Sequence, residues 1–498
     1  MFKFDRNFKN GIWQNTIKKH QIKTENYFTP KSHQEITKII IKAEKSHKTV
    51  RAVGSGHSFS NVSIIDDQNF LILPHKLNKI RKVVPWILKE KYQESPLVWV
   101  EAGTTIEKLN KTLTKMGYSI TNMGGIDHQT ISGAISTGTH GTGIHLPAIH
   151  GMIKAIQIIT HNGQKLQVEP SKGISKKHLP MNGDFKIVRD TSTFNAMMVS
   201  LGAFGIIYAY ILRVEHEYWL REKNILLPWS EAKSLLREKD YLNRFRAVKF
   251  TVNPYKIPKG RFHNDHTCLL STYEIAFSKP LTRRINDKFR NLIGHLLGNI
   301  KIFGLVGYSS IKKWSFKHPE RMARIIETAL VNQKDKGYLS TAYKVLYQGA
   351  EYIKERAYDC EVAFDFKKID YIEIVDALIE NAEKLRQVGL YHNSPIGVRY
   401  VRRSKALLSV EYKRDVAYVD TPMVLSSKGE LEVIESCLRL MLDKGGIPHW
   451  GKYNYFLREE KYELEKIYPG LKKWKKLMRN YNPNGTFTSK FMREMMIQ

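Results

Sequence analysis

The chemistry-bearing residues begin in RAVGSGHSFSN, Arg51 to Asn61, where two glycines, three serines and a histidine share one short loop. Glycine lets a backbone close on a ligand, and successive free N–H groups form a concavity that binds anions. Gly54, Ser55, Gly56, His57 and Ser58 therefore suit a phosphate-bearing cofactor, with the imidazole in mid-loop. An ordinary Gly/Ser turn between strands has the same composition. The loop gains meaning from a second stretch, NMGGIDHQTISGAISTGTHGTGIHLPAIHG, Asn122 to Gly151. Small and hydroxyl residues dominate it from Thr130 to Gly143, offering backbone and side-chain donors without bulk. Ile126, Ile131, Ile135 and Ile144 anchor it to a core, which a flexible linker lacks. It reads as one wall of a large ligand site.

Neither stretch is a Rossmann fingerprint or a P-loop. Phe59 stands where a third glycine should be, no helix pattern opens there, and no Gly-Lys-Ser/Thr ending occurs. A third cluster, IPHWGKYNYF from Ile447, carries His449 and Lys452 among aromatic residues. Such a cluster lines an active site or forms a structural hydrogen-bonding knot, and the residues alone leave both open.

The elements that must hold these residues follow from periodicity. Ser32 and Glu35 have capping-box spacing ahead of Ile36, Ile39, Ile40 and Ala43, which predicts a helix. Strands are expected at Thr49–Val53, Asn69–Pro74 and Leu97–Gly103. A second capping box, Thr104 with Glu107, opens a helix with a stripe at Ile106, Leu109, Leu113 and Met116, ended by Gly117. Alternating strand and helix over the first two hundred residues or so signals an α/β domain. Beyond about residue 215 the order becomes irregular. Basic helices (Ser230–Asn243, Pro280–Leu297, Pro319–Lys334) and strands (Ala357–Phe366, Ala406–Tyr412) imply a second, α+β domain. A helix Glu430–Asp443, apolar at Leu431, Ile434, Leu438 and Leu442, ends at Gly445-Gly446 and delivers the His449 cluster.

Composition bounds the partners. At 498 residues the chain needs two or three domains. Its three cysteines, Cys268, Cys360 and Cys437, lie too far apart for a disulfide framework or a zinc site and suit a reducing compartment, so no metal is expected. A formal charge of +32 attracts polyanions, yet the basic residues are dispersed, so a basic background is favoured and no nucleic-acid partner is expected. The N-terminus has no apolar core of a secretory signal. The apolar stretch Asn195–Leu212 is marginally long for a membrane span and reads as buried core. The expected location is the cytoplasm, with peripheral membrane contact left open.

Seven blocks resemble the aldonolactone oxidoreductases, which include L-gulonolactone oxidase, D-arabinono-1,4-lactone oxidase and alditol oxidase, within the flavoproteins of vanillyl-alcohol oxidase type. They are VGSGHSFS (Val53–Ser60), VEAGTTIEKLN (Val100–Asn110), ISGAISTGTHGTG (Ile131–Gly143), SLGAFGII (Ser200–Ile207), LLSVEYKRD (Leu407–Asp415), PHWGK (Pro448–Lys452) and YNPNGTFTSKF (Tyr481–Phe491). The resemblance implies an α+β fold: a two-subdomain FAD-binding domain of the vanillyl-alcohol oxidase (PCMH) type over 1–215. An α+β substrate (cap) domain would follow over 216–444, and a segment over 445–498 would return to the flavin. It implies FAD, held by Gly54–Ser58 and by Ser132, Ser136, Thr137, Gly138, Thr139, His140, Gly141 and Gly143, with Ile206 at the adenine end and His57 as the covalent tether. Gly124 stands where relatives that react poorly with oxygen often carry alanine, which favours an oxidase.

By the same resemblance, an alcohol carbon of a sugar lactone, alditol or related polyol loses hydride to flavin N5. Oxygen, or another acceptor, then takes the electrons, oxygen giving hydrogen peroxide. Lys452 serves the flavin edge or the substrate, His449 partners either, and Arg399 matches the arginine of the family's Glu-x-Arg pair. Where that glutamate belongs this chain has Gly397, which would leave room for a larger substrate; Glu361 or Asp365, on a strand of the second domain, are the carboxylates that would have to stand in, their register not readable from sequence. The competing readings are a basic polyanion-binding protein on this scaffold with catalysis lost, and a dehydrogenase.

Overall fold

Ser32 accepts the Glu35 N–H at 3.2 Å, and the Glu35 carboxylate reaches back to the Lys31 N–H at 2.9 Å. The helix His33–Lys45 therefore starts where the spacing places it, and its Ile36, Ile39, Ile40 and Ala43 are buried with Val50, Phe70, Trp99 and Ile159. The computed structural model describes residues 8–277, 317–333, 338–347, 357–425, 427–459 and 462–497. The next helix, Ile106–Lys115, is capped by Thr105, not Thr104: Thr105 accepts the Lys108 N–H at 3.2 Å. Thr104 is consumed by the turn before it, its N–H bonded to the Glu101 carbonyl at 3.1 Å.

A six-stranded sheet runs Lys186–Arg189, Lys165–Glu169, Ile153–Ile159, Ile206–Arg213, Leu97–Glu101, Ile80–Lys82. Only its first pair is parallel. Parallel pairing otherwise sits in a small sheet of Tyr27–Phe28, Phe70–Ile72 and Val50–Ala52. The α/β expectation for this region is thus corrected to α+β. Periodicity finds strands but not their partners; here Ile153–Ile159 and Lys165–Glu169 pair antiparallel across the left-handed Asn162 and Gly163 instead of through a crossover helix. The apolar stretch from Asn195 ends the helix Thr191–Met198 and forms the central strand, buried at every position but Arg213. No described helix is long and apolar enough to cross a membrane.

The second sheet has eight strands, antiparallel throughout. Its order is Tyr338–Thr341, Trp219–Pro228, Thr267–Ala276, Ala247–Val252, Ile396–Val401, Val416–Val424, Ala357–Asp365, Ile447–Pro448. The helices Tyr371–Gln387 and Glu430–Asp443 pack against it. In the latter Leu431 is exposed, and the buried stripe is Val433, Ile434, Cys437, Leu438, Met441 and Leu442. It stops at Gly445 (φ +81°), with the Gly446 N–H on the Met441 carbonyl. Ala406–Tyr412, expected as a strand, is a turn, with Ser409 and Tyr412 donating to the carbonyls three residues back. Its Leu407, Leu408 and Val410 are all buried, and Ser409 donates to Glu411 within the turn. The strand is Val416–Val424 instead. Pro280–Leu297 lies outside the described residues, as does Lys334, and from Pro319 a short 3-10 turn is followed by the helix Met322–Asn332. All three cysteines are buried and free.

Candidate active site

The Val50–Ala52 strand feeds the Gly54–Ser58 loop, and Arg51 fixes where that loop goes. Its buried guanidinium donates to the Leu201 carbonyl at 2.6 Å and the Val62 carbonyl at 2.5 Å, and burial pulls its pKa down to about 10. Gly56 takes a left-handed φ of +69° and offers its carbonyl to the Thr16 N–H at 2.8 Å. Gly54 presses on Thr130: a Cβ there would overlap the hydroxyl and lie 3.4 Å from the Thr130 Cβ. The two small-residue segments thus meet face to face.

Thr130 caps the short helix Ile131–Ser136, which ends at the left-handed Gly138. Ser132 donates to the Ala102 carbonyl at 2.8 Å, and Ser200 donates to Ser136 at 3.2 Å. Ala102, Thr130, Ser132 and Ser136, with Gly124, Gly125, Leu201, Gly205 and Ile206, line one continuous cavity together with the Arg51–Phe59 loop. His57 lines it too, and burial, with His128 nearby, pulls its pKa to about 4, so its imidazole is neutral at ordinary pH.

The opposite side of this cavity is charged. The Pro448–Lys452 segment runs beside the Ala357–Asp365 strand, its His449 N–H on the Glu361 carbonyl and Tyr453 N–H on the Asp359 carbonyl, both at 2.9 Å. The glycine loop rests on the same segment: Phe59 N–H meets the Gly451 carbonyl at 2.8 Å and Ser60 the Trp450 carbonyl at 2.6 Å. Lys452 bonds Asp359 and stands 3.4 Å from Glu361. Arg399, from Ile396–Val401, is also 3.4 Å from Glu361, and His140 is 3.3 Å from it. His140 reaches the Gly141 carbonyl at 3.0 Å through its other nitrogen and stacks on Tyr418 with ring centres 3.7 Å apart.

Strand pairing sets this face. Glu361 lies opposite Asp420, and Asp420 opposite Gly397; Arg399 lies opposite Tyr418. Burial works to raise the Glu361 pKa, but Lys452, His140 and Arg399 overcome it and hold the carboxylate well below its ordinary range. Asp359 goes the other way: burial, with Asp420 and Glu361 adding repulsion against the pull of Lys452, lifts it to about 7. Burial opposes the charge on Arg399 and Lys452, yet Asp420, Glu361 and Asp359 keep both above their ordinary values. Burial drives His449 down to about 3. Its Nδ1 accepts the Gly451 N–H at 3.1 Å, so the network assigns the proton to Nε2, making that edge a donor.

Of the positions named from the sequence, Gly54, Ser55, Gly56, His57, Ser58, Gly124, Ser132, Ser136, Thr137, Thr139, His140, Ile206, Arg399, His449 and Lys452 line this cavity. Gly138, Gly141 and Gly143 instead shape the loop. Gly141 packs on Asn122 and Met123, and the Gly143 N–H donates to the Tyr400 carbonyl at 2.7 Å, stitching the stretch to the eight-stranded sheet. Glu361 is in the cluster; Asp365, at the far end of its strand, lies in a separate depression with Lys368 and Arg414. The expectation that Gly397 leaves room is corrected: a Cβ there would overlap Asp420 Oδ1 and lie 3.0 Å from its Cγ. Asp359 and Asp420 went unnamed in the sequence. Asp359 could have been found by strand parity, two residues before Glu361 and alternating with Cys360 and Val362. Asp420 could not, because its strand was assigned to Ala406–Tyr412.

Residues 24–169 match the family described as "FAD binding domain", and residues 286–495 match "D-arabinono-1,4-lactone oxidase". The chain is 25% identical over 498 residues to L-gulonolactone oxidase of Bos taurus, covering 98% of this chain and 99% of that protein. It is 24% identical over 487 residues to an L-gulono-1,4-lactone dehydrogenase of Mycobacterium tuberculosis, covering 97% and 99%. With D-arabinono-1,4-lactone oxidase of Saccharomyces cerevisiae it shares 31% over 228 residues, 44% of this chain and 39% of that one. In fold it is similar to cholesterol oxidase from B. sterolicum (TM-score 0.69, 14% identity, 98% of each chain). A VAO-type flavoprotein from Myceliophthora thermophila is also similar in fold (TM-score 0.62, 12% identity, 93% of this chain and 78% of that one).

Proposed function

Because this chain belongs to the aldonolactone oxidoreductases among the VAO-type FAD-binding flavoproteins, we propose that it oxidises an alcohol carbon of a sugar lactone, alditol or related polyol. Bound FAD supplies the hydride acceptor, at N5 of its ring system. The observation that carries the reading is that Glu361, Arg399, His449 and Lys452 converge on the cavity whose other wall is built from Gly54–Ser58 and Ser132–Thr137.

The residues present fit the cofactor. Small side chains along the cavity admit an elongated dinucleotide, and the Gly54–Ser58 and Ser132–Thr139 segments offer it backbone and hydroxyl donors. Residues 1–215 hold it, 216–444 supply the substrate side, and 445–498 bring His449 and Lys452 back to it. His57 would be the tether to the flavin, its imidazole kept neutral by burial.

On the substrate side, the planar Arg399 fork meets the oxygen on which charge builds, and Lys452 adds a second fixed cation. His449 donates from Nε2. Glu361, held ionised, accepts a hydroxyl hydrogen bond and orients the hydroxyl, while Asp359, with a pKa of about 7, is the nearby group suited to hold a proton near neutral pH. Oxygen is the proposed electron acceptor, yielding hydrogen peroxide.

The test follows flavin bleaching without oxygen against a panel of lactones, alditols and sugars, on protein first precipitated in acid. A yellow pellet with flavin on the His57 peptide, and bleaching by at least one polyol or lactone, are the expected results. A colourless pellet removes the tether, and no bleaching by any panel member removes the substrate class.

A further inference from the structure

Three carboxylates face the cavity side of the eight-stranded sheet, and two of them are held by cations. Asp359 and Glu361 share Lys452, and Glu361 also meets Arg399 and His140. Asp420 stands between them and the next strand, opposite Glu361 on one side and Gly397 on the other. Its residue is only 9% exposed, and among the described residues its carboxylate makes no hydrogen bond and no direct ion pair, Arg399 and Lys452 acting on it as nearby charges. A mostly buried carboxylate gains from any donor that reaches it.

Gly397 explains how it fits. The carboxylate leans over that residue, filling the place of the missing side chain, so any Cβ at 397 would displace Oδ1. Arg399 is two residues further on the same strand, and strand alternation puts it on the same face. A free acceptor and a planar cation therefore stand side by side, one from each of two neighbouring strands.

We propose that Asp420 accepts a hydrogen bond from a substrate hydroxyl adjacent to the carbon that Arg399 serves, and that Gly397 is the glycine that admits this carboxylate. The inference rests on the oxidoreductase reading above and narrows its ligand to a compound with at least two neighbouring hydroxyl groups. Asp420 is thus a substrate-positioning residue supplied across the sheet.

The experiment uses the full chain with FAD and the panel compound that bleaches the wild type best. Asp420→Asn and Asp420→Ala should each raise the half-saturating concentration at least tenfold, with flavin content and spectrum unchanged. Gly397→Ala should do the same, and Gly397→Ala added to Asp420→Ala should cost nothing more, because both act on one carboxylate. Half-saturation within twofold of wild type in Asp420→Asn, or losses that add in the double variant, overturns the proposal. If the wild type bleaches with no panel compound, the oxidoreductase reading falls and takes this ligand with it. If the wild type bleaches and Asp420→Asn matches it, Asp420 alone falls.

Discussion

On the Gly54–Ser58 side of the cavity the structure works by leaving atoms out; on the Glu361 side it works by pairing charges that could not be buried alone. The first wall has glycines where a Cβ would strike Thr130 or crowd Thr139, and its lining is mostly neutral. The second sets Asp359, Glu361 and Asp420 against Lys452, Arg399 and His140. Steric exclusion costs little to keep and fails gradually. Charge pairing in a dry site fails abruptly, because losing one partner strands another.

The largest effect should come from Lys452→Met. It leaves Asp359 and Glu361 buried beside each other without their shared cation, a loss on the order of 3–5 kcal/mol. Thermal melting should fall steeply and flavin retention with it; unchanged melting would show that Lys452 does not hold this side together. Arg399→Ala should slow flavin bleaching well over tenfold, about 2–4 kcal/mol of charge stabilisation, with the fold kept. A near-neutral rate removes Arg399 from the reaction.

Next is a pH effect with a definite sign. Asp359 is raised in the folded state from 3.8 to about 7, so its contribution to stability is present below its unfolded value and is lost as pH rises through the folded one. Wild type should therefore lose melting temperature relative to Asp359→Asn between about pH 4 and pH 7. Parallel profiles would mean that Asp359 is not the strained member.

The neutral wall should yield smaller changes. Gly54→Ala should lower flavin occupancy, and Thr130→Ala in the same chain should restore most of it, because the overlapping hydroxyl is gone and the helix cap lost with it is worth only about 1 kcal/mol. Failure of that rescue would place the conflict elsewhere. Gly124→Ala is the mildest: the added methyl would lie 3.3 Å from Thr139 Cγ2 and 3.4 Å from the His140 carbonyl. It should slow reoxidation by oxygen a few-fold more than it slows bleaching, in stopped-flow measurement of both half-reactions.

The neutral wall was largely legible before any coordinates. Its residues lie in two contiguous stretches, and local composition marks them. The helix from His33 was legible too, since Ser32 and Glu35 act over one turn. The charged side was harder. Arg399, His449 and Lys452 came from motif resemblance, whereas Asp359 had only its strand parity with Glu361 and Asp420 had no local mark. The turn at Ala406–Tyr412 has strand-like residues, but Ser409 donates to Glu411 inside it and the extended pairing passes to Val416–Val424. That displacement of one strand hid the carboxylate nearest Gly397.

From the sequence alone came the cofactor-sized small-residue segments, the capped helices and the identity of the cations, because each is encoded within a few neighbouring residues. Only the tertiary structure decided that Gly397 is filled by Asp420, that Lys452 is shared by Asp359 and Glu361, and that Asp365 stands apart. Those facts depend on strand register, where side chains from distant parts of the chain become neighbours and a carboxylate takes its character from whichever cation the sheet sets beside it.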